Sequence, residues 1–444
     1  MKLNNLTYLR VLFIPIKIAP IESILQVLHR FVELAIVPIN ILVTAYFIDT
    51  ALSVVMQNSE ASAIILPLIA IGFFSVYNYI LSPLSGLLSS RMHIKARMKL
   101  RIPFLEKRVR LEFKHIENSK TRDLLERVWN NPGGQLSGAL YNLIHLIVIV
   151  GTTASQILIL LINAPLAGGI LLVCSVPIFI MALKAGKYSY QTQREYTMEQ
   201  RRAWGISWYI WGREPAHERN MFGYTDYMND RFFYFSEVNR KAMLKVNTQW
   251  FLRSRSSAVL LGILSAAGLF IMAPAVASGE LSVGLFIMLQ TSLFNSINQL
   301  AWGLPHTFEQ ISKEREFIKD VNEFFALSET ADAESLPSET SFAFESLEFK
   351  DVSFTYPGTE KIILDKLSMK IERDKHYSFV GVNGAGKTTL TKLITRLYDD
   401  YTGEILLNGK SLREWNLSQI KSCFCALFQD FARYDITVAE NAAI

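Results

Sequence analysis

The chain has 444 residues, half of them apolar and 19% charged, with a mean hydropathy of +0.22. That length allows two or three domains, and the apolar balance excludes a disordered chain and sits high for a water-soluble enzyme. Three cysteines, Cys174, Cys423 and Cys425, are too few to staple a chain of this length, and the Cys-x-Cys pair lacks the second ligand pair of a zinc site. The net charge of +5 is modest, so its placement along the chain says more than its size.

In chain order, residues 1–20 carry Lys2, Arg10 and Lys17 with no small-residue cleavage site, and are expected to form an interfacial helix rather than a secretory signal. Residues 61–90, 128–183, 256–279 and 281–308 contain no Asp, Glu, Lys or Arg, and each stretch exceeds what a bilayer crossing requires. Asn163-Ala164-Pro165 supplies turn chemistry in the middle of the second stretch and divides it in two. With an earlier span beside Arg30 and Glu33, six crossings are predicted, at about 31–48, 61–90, 136–162, 166–183, 256–275 and 281–308.

Cations orient these spans. The connections at 49–60, 163–165 and 273–280 hold no Lys or Arg, whereas twelve fall between Arg91 and Asn131 and thirteen between Lys184 and Arg255. The two long loops and both termini are therefore expected on the cytoplasmic side. The loops keep helical periodicity, as at Leu100, Phe104 and Leu105 and at Leu124, Leu125 and Val128, so helices are expected to run beyond the membrane. Polar breaks at His115–Thr121 and Gly212–His217 leave room for a short transverse helix in each loop.

Residues 326–341 turn to Ser, Thr, Asp, Glu and Ala and read as an exposed linker. Beyond it, strands are predicted at Leu347–Thr355, Leu367–Ile371, Tyr377–Val380 and Phe424–Phe428, and a helix at Leu390–Leu397. Gly381-Val-Asn-Gly-Ala-Gly386-Lys387-Thr388 matches GxxxxGK[ST] between a predicted strand and a predicted helix. Gly381, Gly384 and Gly386, with Asn383 and Ala385 between them, let successive N–H groups converge on phosphate oxygens, and the following helix N-terminus adds a favourable dipole. Lys387 is expected to reach the β and γ phosphates of ATP, Thr388 to ligate Mg²⁺, and Thr389 to donate to the α phosphate.

On this motif, the spans and the two loops, the sequence resembles the ATP-binding cassette (ABC) transporters of the exporter type. The resemblance implies a membrane-embedded, all-α six-helix transmembrane domain (1–325), a linker (326–341) and a partial α/β P-loop NTPase domain, the ABC ATPase (342–444). It implies that Tyr356, in Phe354-Thr355-Tyr356-Pro357-Gly358, stacks on adenine. It implies that Gln429, in Phe428-Gln429-Asp430, is the Q-loop glutamine that contacts Mg²⁺ and the attacking water, with Asp430 as a Walker B aspartate the rival reading. The segments 115–127 and 212–226 resemble the two coupling helices, with Arg213, Glu214 and Arg219 as contact candidates.

Fifteen residues follow Gln429, and the family's signature, Walker B and switch histidine are not among them. Leu-Ser-Gly at 84–86 and at 136–138 lies within spans and is a decoy. The chain is accordingly expected to be a C-terminally truncated transporter half that binds nucleotide weakly and does not turn it over alone. The resemblance implies a multi-pass protein of the bacterial cell membrane, in contact with membrane lipid and working with a second half-transporter as a homodimer or heterodimer. No nucleic-acid partner is expected. Gln290, Asn295, Asn298 and Gln299 in the sixth span, and Asn40 and Thr44 in the first, either line a polar cavity or bond helix to helix. An amphipathic peptide, lipid or drug suits such a cavity. The competing hypothesis is a non-transporting membrane scaffold with a vestigial nucleotide site.

Overall fold

The computed structural model describes residues 5–129, 131–173, 175–176, 180, 202–338, 343–427 and 434–443. It divides into two compact units, one of Asn5–Leu100 with Asn131–Lys319 and one built on Arg101–Asn130 with Asp320–Ile444.

The helices run in the order α1 (Tyr8–Ile18), α2 (Pro20–Val55), α3 (Ile65–Val76), α4 (Ser82–Arg110), α5 (Phe113–Glu117), α6 (Ser119–Trp129) and α7 (Pro132–Asn163). After these come α8 (Ala216–Phe222), α9 (Thr225–Ala277), α10 (Val283–Asn298) and α11 (Leu304–Ala326). Single π-helical turns, Tyr77–Leu81 and Gln299–Gly303, join α3 to α4 and α10 to α11. Pro20 starts α2, and Asn131, at φ +66°, caps α7 by accepting from Gly134 N with Pro132 in the first turn. Proline fits there because its missing donor is unpaired at a helix start anyway.

Three stretches, Pro20–Val55, Ala61–Arg110 and Pro132–Asn163, are long and apolar enough to cross a membrane, and the spans predicted at 31–48, 61–90 and 136–162 fall within them. The predicted span at 256–275 lies in the 53-residue helix α9. That at 281–308 covers α10, its π turn and the start of α11. The span at 166–183 is helical at 166–173, while residues 174, 177–179 and 181–183 are outside the described residues.

The core of this unit is apolar contact between α7, α9, α10 and α11, with Leu160, Met272, Leu289 and Leu304 almost wholly buried. At Gly284 a Cβ would lie 2.2 Å from the carbonyl of Ala45, so only glycine allows α10 to approach α2 this closely. Asp49 fixes the same crossing by accepting from Ser282 Oγ (2.5 Å) and Gly284 N (2.6 Å). Several polar residues of the sixth predicted span bond between helices. Gln290 donates to Ser265 (3.0 Å), Ser296 donates to Gln156, and Gln299 Oε1 accepts from Thr152 and Thr153 (3.1 Å each). Asn298 turns to its own helix at Phe294 O, and Asn40 accepts from Thr44 within α2.

Glu314 of α11 is 4% exposed and accepts from Asn142 Nδ2 (2.7 Å) on α7 and Tyr8 Oη (3.2 Å) on α1. Burial pushes its carboxyl up from 4.5 to about 7. The native state therefore keeps a proton that the unfolded chain has released, and its stability falls as pH rises through the folded value. The unfolding temperature in detergent is expected to drop by a few degrees between about pH 5 and about pH 8. Glu314→Gln should flatten that profile, and an unaltered slope in the variant would assign the dependence to other groups.

The second unit is built on a four-stranded antiparallel sheet in the order β2-β1-β3-β4, with β1 Ser346–Thr355, β2 Ile362–Glu372, β3 Thr402–Leu407 and β4 Lys410–Ser411. Alternate residues of β1 (Leu347, Phe349) face a core completed by Ile405, Leu407 and the helices α12 (Lys387–Ile394) and α13 (Leu417–Cys423). The segment 327–338 is stitched down at both ends. Glu329 pairs with Leu111 and bonds Lys107 Nζ (2.6 Å), while Lys421 Nζ donates to the carbonyls of Ala333 and Ser335.

Two predicted strands do not join this sheet. Residues 377–380 and 424–427 have no ladder partner among the described residues, and Val380 is 92% exposed. A strand exists by pairing, and neither segment finds a partner strand among the described residues.

Candidate nucleotide site

The loop Gly381–Thr388 leads directly into α12. Gly384 and Gly386 sit at φ +85° and +93°, the left-handed region that side chains other than glycine avoid. A Cβ at Gly386 would lie 2.9 Å from Leu364 Cδ2. Residues 381–385 and Thr388 are exposed, and inside the loop the Ala385 N–H donates to the carbonyl of Val382 (3.2 Å). The Lys387 ammonium folds back over the loop and donates to the carbonyls of Gly381 (2.7 Å) and Val382 (3.0 Å). A glycine loop that runs into a helix N-terminus, with a lysine folded over it, is the arrangement a triphosphate needs.

Thr389 is buried at 4% exposure, and its hydroxyl meets Tyr356 Oη at 3.0 Å. Tyr356 thus stands beside the first turn of α12, half-buried, edge-on to Phe354 (5.0 Å between centroids) and Tyr398 (5.5 Å). The structure brings Tyr356, Thr389 and the phosphate loop together. Gln429 and Asp430 lie outside the described residues. No group of three or more His, Cys, Asp and Glu residues placed to hold a metal ion occurs among the described residues.

Sequence reasoning passed over four residues beside Tyr356. Lys392 Nζ lies 5.2 Å from the Tyr356 ring, 5.4 Å from Phe113 and 6.0 Å from Tyr398. Glu117 of α5 accepts from Lys392 Nζ and from Tyr398 Oη, each at 2.5 Å. Burial and the Glu117 carboxylate together push the Tyr398 phenol well above its ordinary range. The only advance signal was the polar break that contains Glu117. Of the contact candidates in the second loop, Arg213 and Glu214 are exposed, and Arg219 donates to the carbonyl of Ile210 in its own loop.

Residues 364–443 match the family model described as ABC transporter. The chain carries an ABC transporter domain behind a helical domain of the exporter fold. The chain is similar to the subtilin transport ATP-binding protein SpaT of Bacillus subtilis, 24% identical over 426 residues, covering 95% of this chain and 68% of that protein. It is similar to the ATP-dependent lipid A-core flippase of Haemophilus influenzae, 28% identical over 223 residues, covering half of this chain and 38% of the flippase. The flippase of Salmonella typhimurium is 41% identical over 97 residues, 22% of this chain and 17% of that one. Against the flippases the matched part is well under two thirds of their length. A solved bacterial Atm1-family ABC exporter with ATP bound superposes at a TM-score of 0.67 over 89% of this chain and 69% of that structure, at 17% identity.

Proposed function

We propose that the chain is a subunit of an ATP-driven exporter of the bacterial cell membrane that moves an amphipathic peptide or lipid outward, paired with a second half-transporter. One observation carries the reading: a phosphate loop with two left-handed glycines and a lysine folded over it follows, in sequence, a set of apolar helices in a chain of the exporter fold. ATP is taken as the nucleotide, Lys387 and the loop N–H groups as its phosphate partners, Thr388 and Gln429 as the residues toward Mg²⁺, and Tyr356 as the base partner. Relatives named for subtilin transport and for lipid A-core flipping support an amphipathic cargo. The interhelical bonds of Gln290 and Gln299 favour the structural reading of those two residues, which leaves Asn295 and Asn298, both exposed, with Asn40 and Thr44 as the cavity candidates.

The six-span orientation is tested by single cysteines in a background free of Cys174, Cys423 and Cys425. Cysteines at positions 54 and 277 should react with an impermeant thiol reagent added to intact cells, and one at 118 should react only after the cells are opened. The reverse pattern would invert the topology and place the phosphate loop outside, where ATP is scarce.

A further inference from the structure

We infer that Glu117, on the short helix α5 of the first long loop, is a positioning residue for the base platform: through Lys392 and Tyr398 it fixes the orientation of the Tyr356 ring. The inference rests on the reading of Tyr356 as the base partner. Both carboxylate oxygens of Glu117 are engaged, Oε1 by Lys392 Nζ and Oε2 by Tyr398 Oη. The Lys392 side chain is only 15% exposed, and an ammonium so stripped of water is held in place by the counter-ion that meets it.

Held there, it lies against the rings of Phe113, Tyr356 and Tyr398, where partial desolvation strengthens the attraction of a cation for an aromatic ring. Four contacts fix the Tyr356 ring: Phe354, Tyr398, Lys392 and the Thr389 hydroxyl. Two of them, Tyr398 and Lys392, are anchored on Glu117. Neutralising Glu117 frees the ammonium to seek water and slackens Tyr398, so the Tyr356 ring must be ordered anew when a base stacks on it. The phosphate loop has no contact with Glu117 and keeps its own geometry. Linkage is reciprocal, so base binding in turn tightens α5 on this unit.

The test uses the full chain in lipid nanodiscs and calorimetric titration with two probes, MgATP and base-free magnesium tripolyphosphate. Glu117→Gln should weaken ATP binding about five-fold and leave tripolyphosphate binding unchanged, while Glu117→Asp recovers part of the loss. Tyr398→Phe, which keeps the ring and removes the hydroxyl, should give a smaller loss of the same kind, and it decides the matter alone if Glu117→Gln does not yield folded protein. In a Tyr356→Ala background neither change should matter. Equal losses for both probes, no loss for either, or a loss that persists undiminished without Tyr356 would overturn the assignment. If Tyr356→Ala itself leaves ATP affinity intact, the base-partner reading fails. A Tyr356→Ala loss with silent Glu117 and Tyr398 variants sinks only the role of Glu117.

Discussion

Lys387→Ala is expected to lower the affinity for MgATP by about 2–3 kcal/mol, roughly 30- to 150-fold, while the protein still inserts and elutes as the parent does. The ammonium carries two duties. It is the charge that meets the terminal phosphates, and in the structure it braces the loop by donating to the carbonyls of Gly381 and Val382. Alanine removes both, leaving two carbonyls facing the space a polyanion must enter. Because Lys387 begins α12 without anchoring its core face, which is held by Leu390 and Leu393, the helix and the domain should survive. Calorimetric titration in nanodiscs reads the affinity. Full retention of ATP binding would move the phosphate site away from this loop.

The second large effect is expected at Gly386. Its φ of +93° is strained for any residue with a Cβ, at a cost of about 1–3 kcal/mol. The steric part is milder, since the nearest atom to an added Cβ is Leu364 Cδ2 at 2.9 Å, the end of a side chain that can turn aside, whereas the Ile363 carbonyl at 3.4 Å is in ordinary contact. Backbone strain therefore dominates, and Gly386→Ala should relax by rotating the peptide into the loop, spoiling the convergence of N–H groups. Nucleotide binding should be lost and the unfolding midpoint of the domain should fall. Gly384, at φ +85° with nothing within 4 Å, carries the same strain without the crowding, so Gly384→Ala should cost less stability. Equal stability of Gly386→Ala and the parent would show that the loop does not need this conformation.

The features legible in advance are those encoded by local chemistry. Uncharged runs announced the apolar helices, and the glycine-lysine spacing announced a loop whose torsions only glycine accepts. The polar breaks at His115 and Gly212 announced interruptions, observed as α5 and as the bend before α8. The strand expected at Tyr377–Val380 rests on apolarity, which measures willingness to pair but not the presence of a neighbour. Glu117, Lys392 and Tyr398 were missed for the opposite reason. Each is ordinary in its own window, and their association spans 275 residues in sequence between Glu117 and Lys392. Gln290 and Gln299 illustrate a third case: polarity inside a span was evident, but its purpose was decided by Ser265, Thr152 and Thr153 on other helices.

The unpaired stretch before the phosphate loop has a practical corollary. Tyr377-Ser-Phe-Val-Gly-Val382 is a six-residue window rich in β-forming side chains, free of charge and proline, with Phe379, Val380 and Val382 open to solvent. Such windows nucleate intermolecular cross-strand stacking at high concentration. The charged run Glu372-Arg373-Asp374-Lys375 guards its upstream end. Clouding of concentrated, detergent-free preparations of the C-terminal part is expected to start at this segment, and a single charged replacement at Val380 to keep them clear.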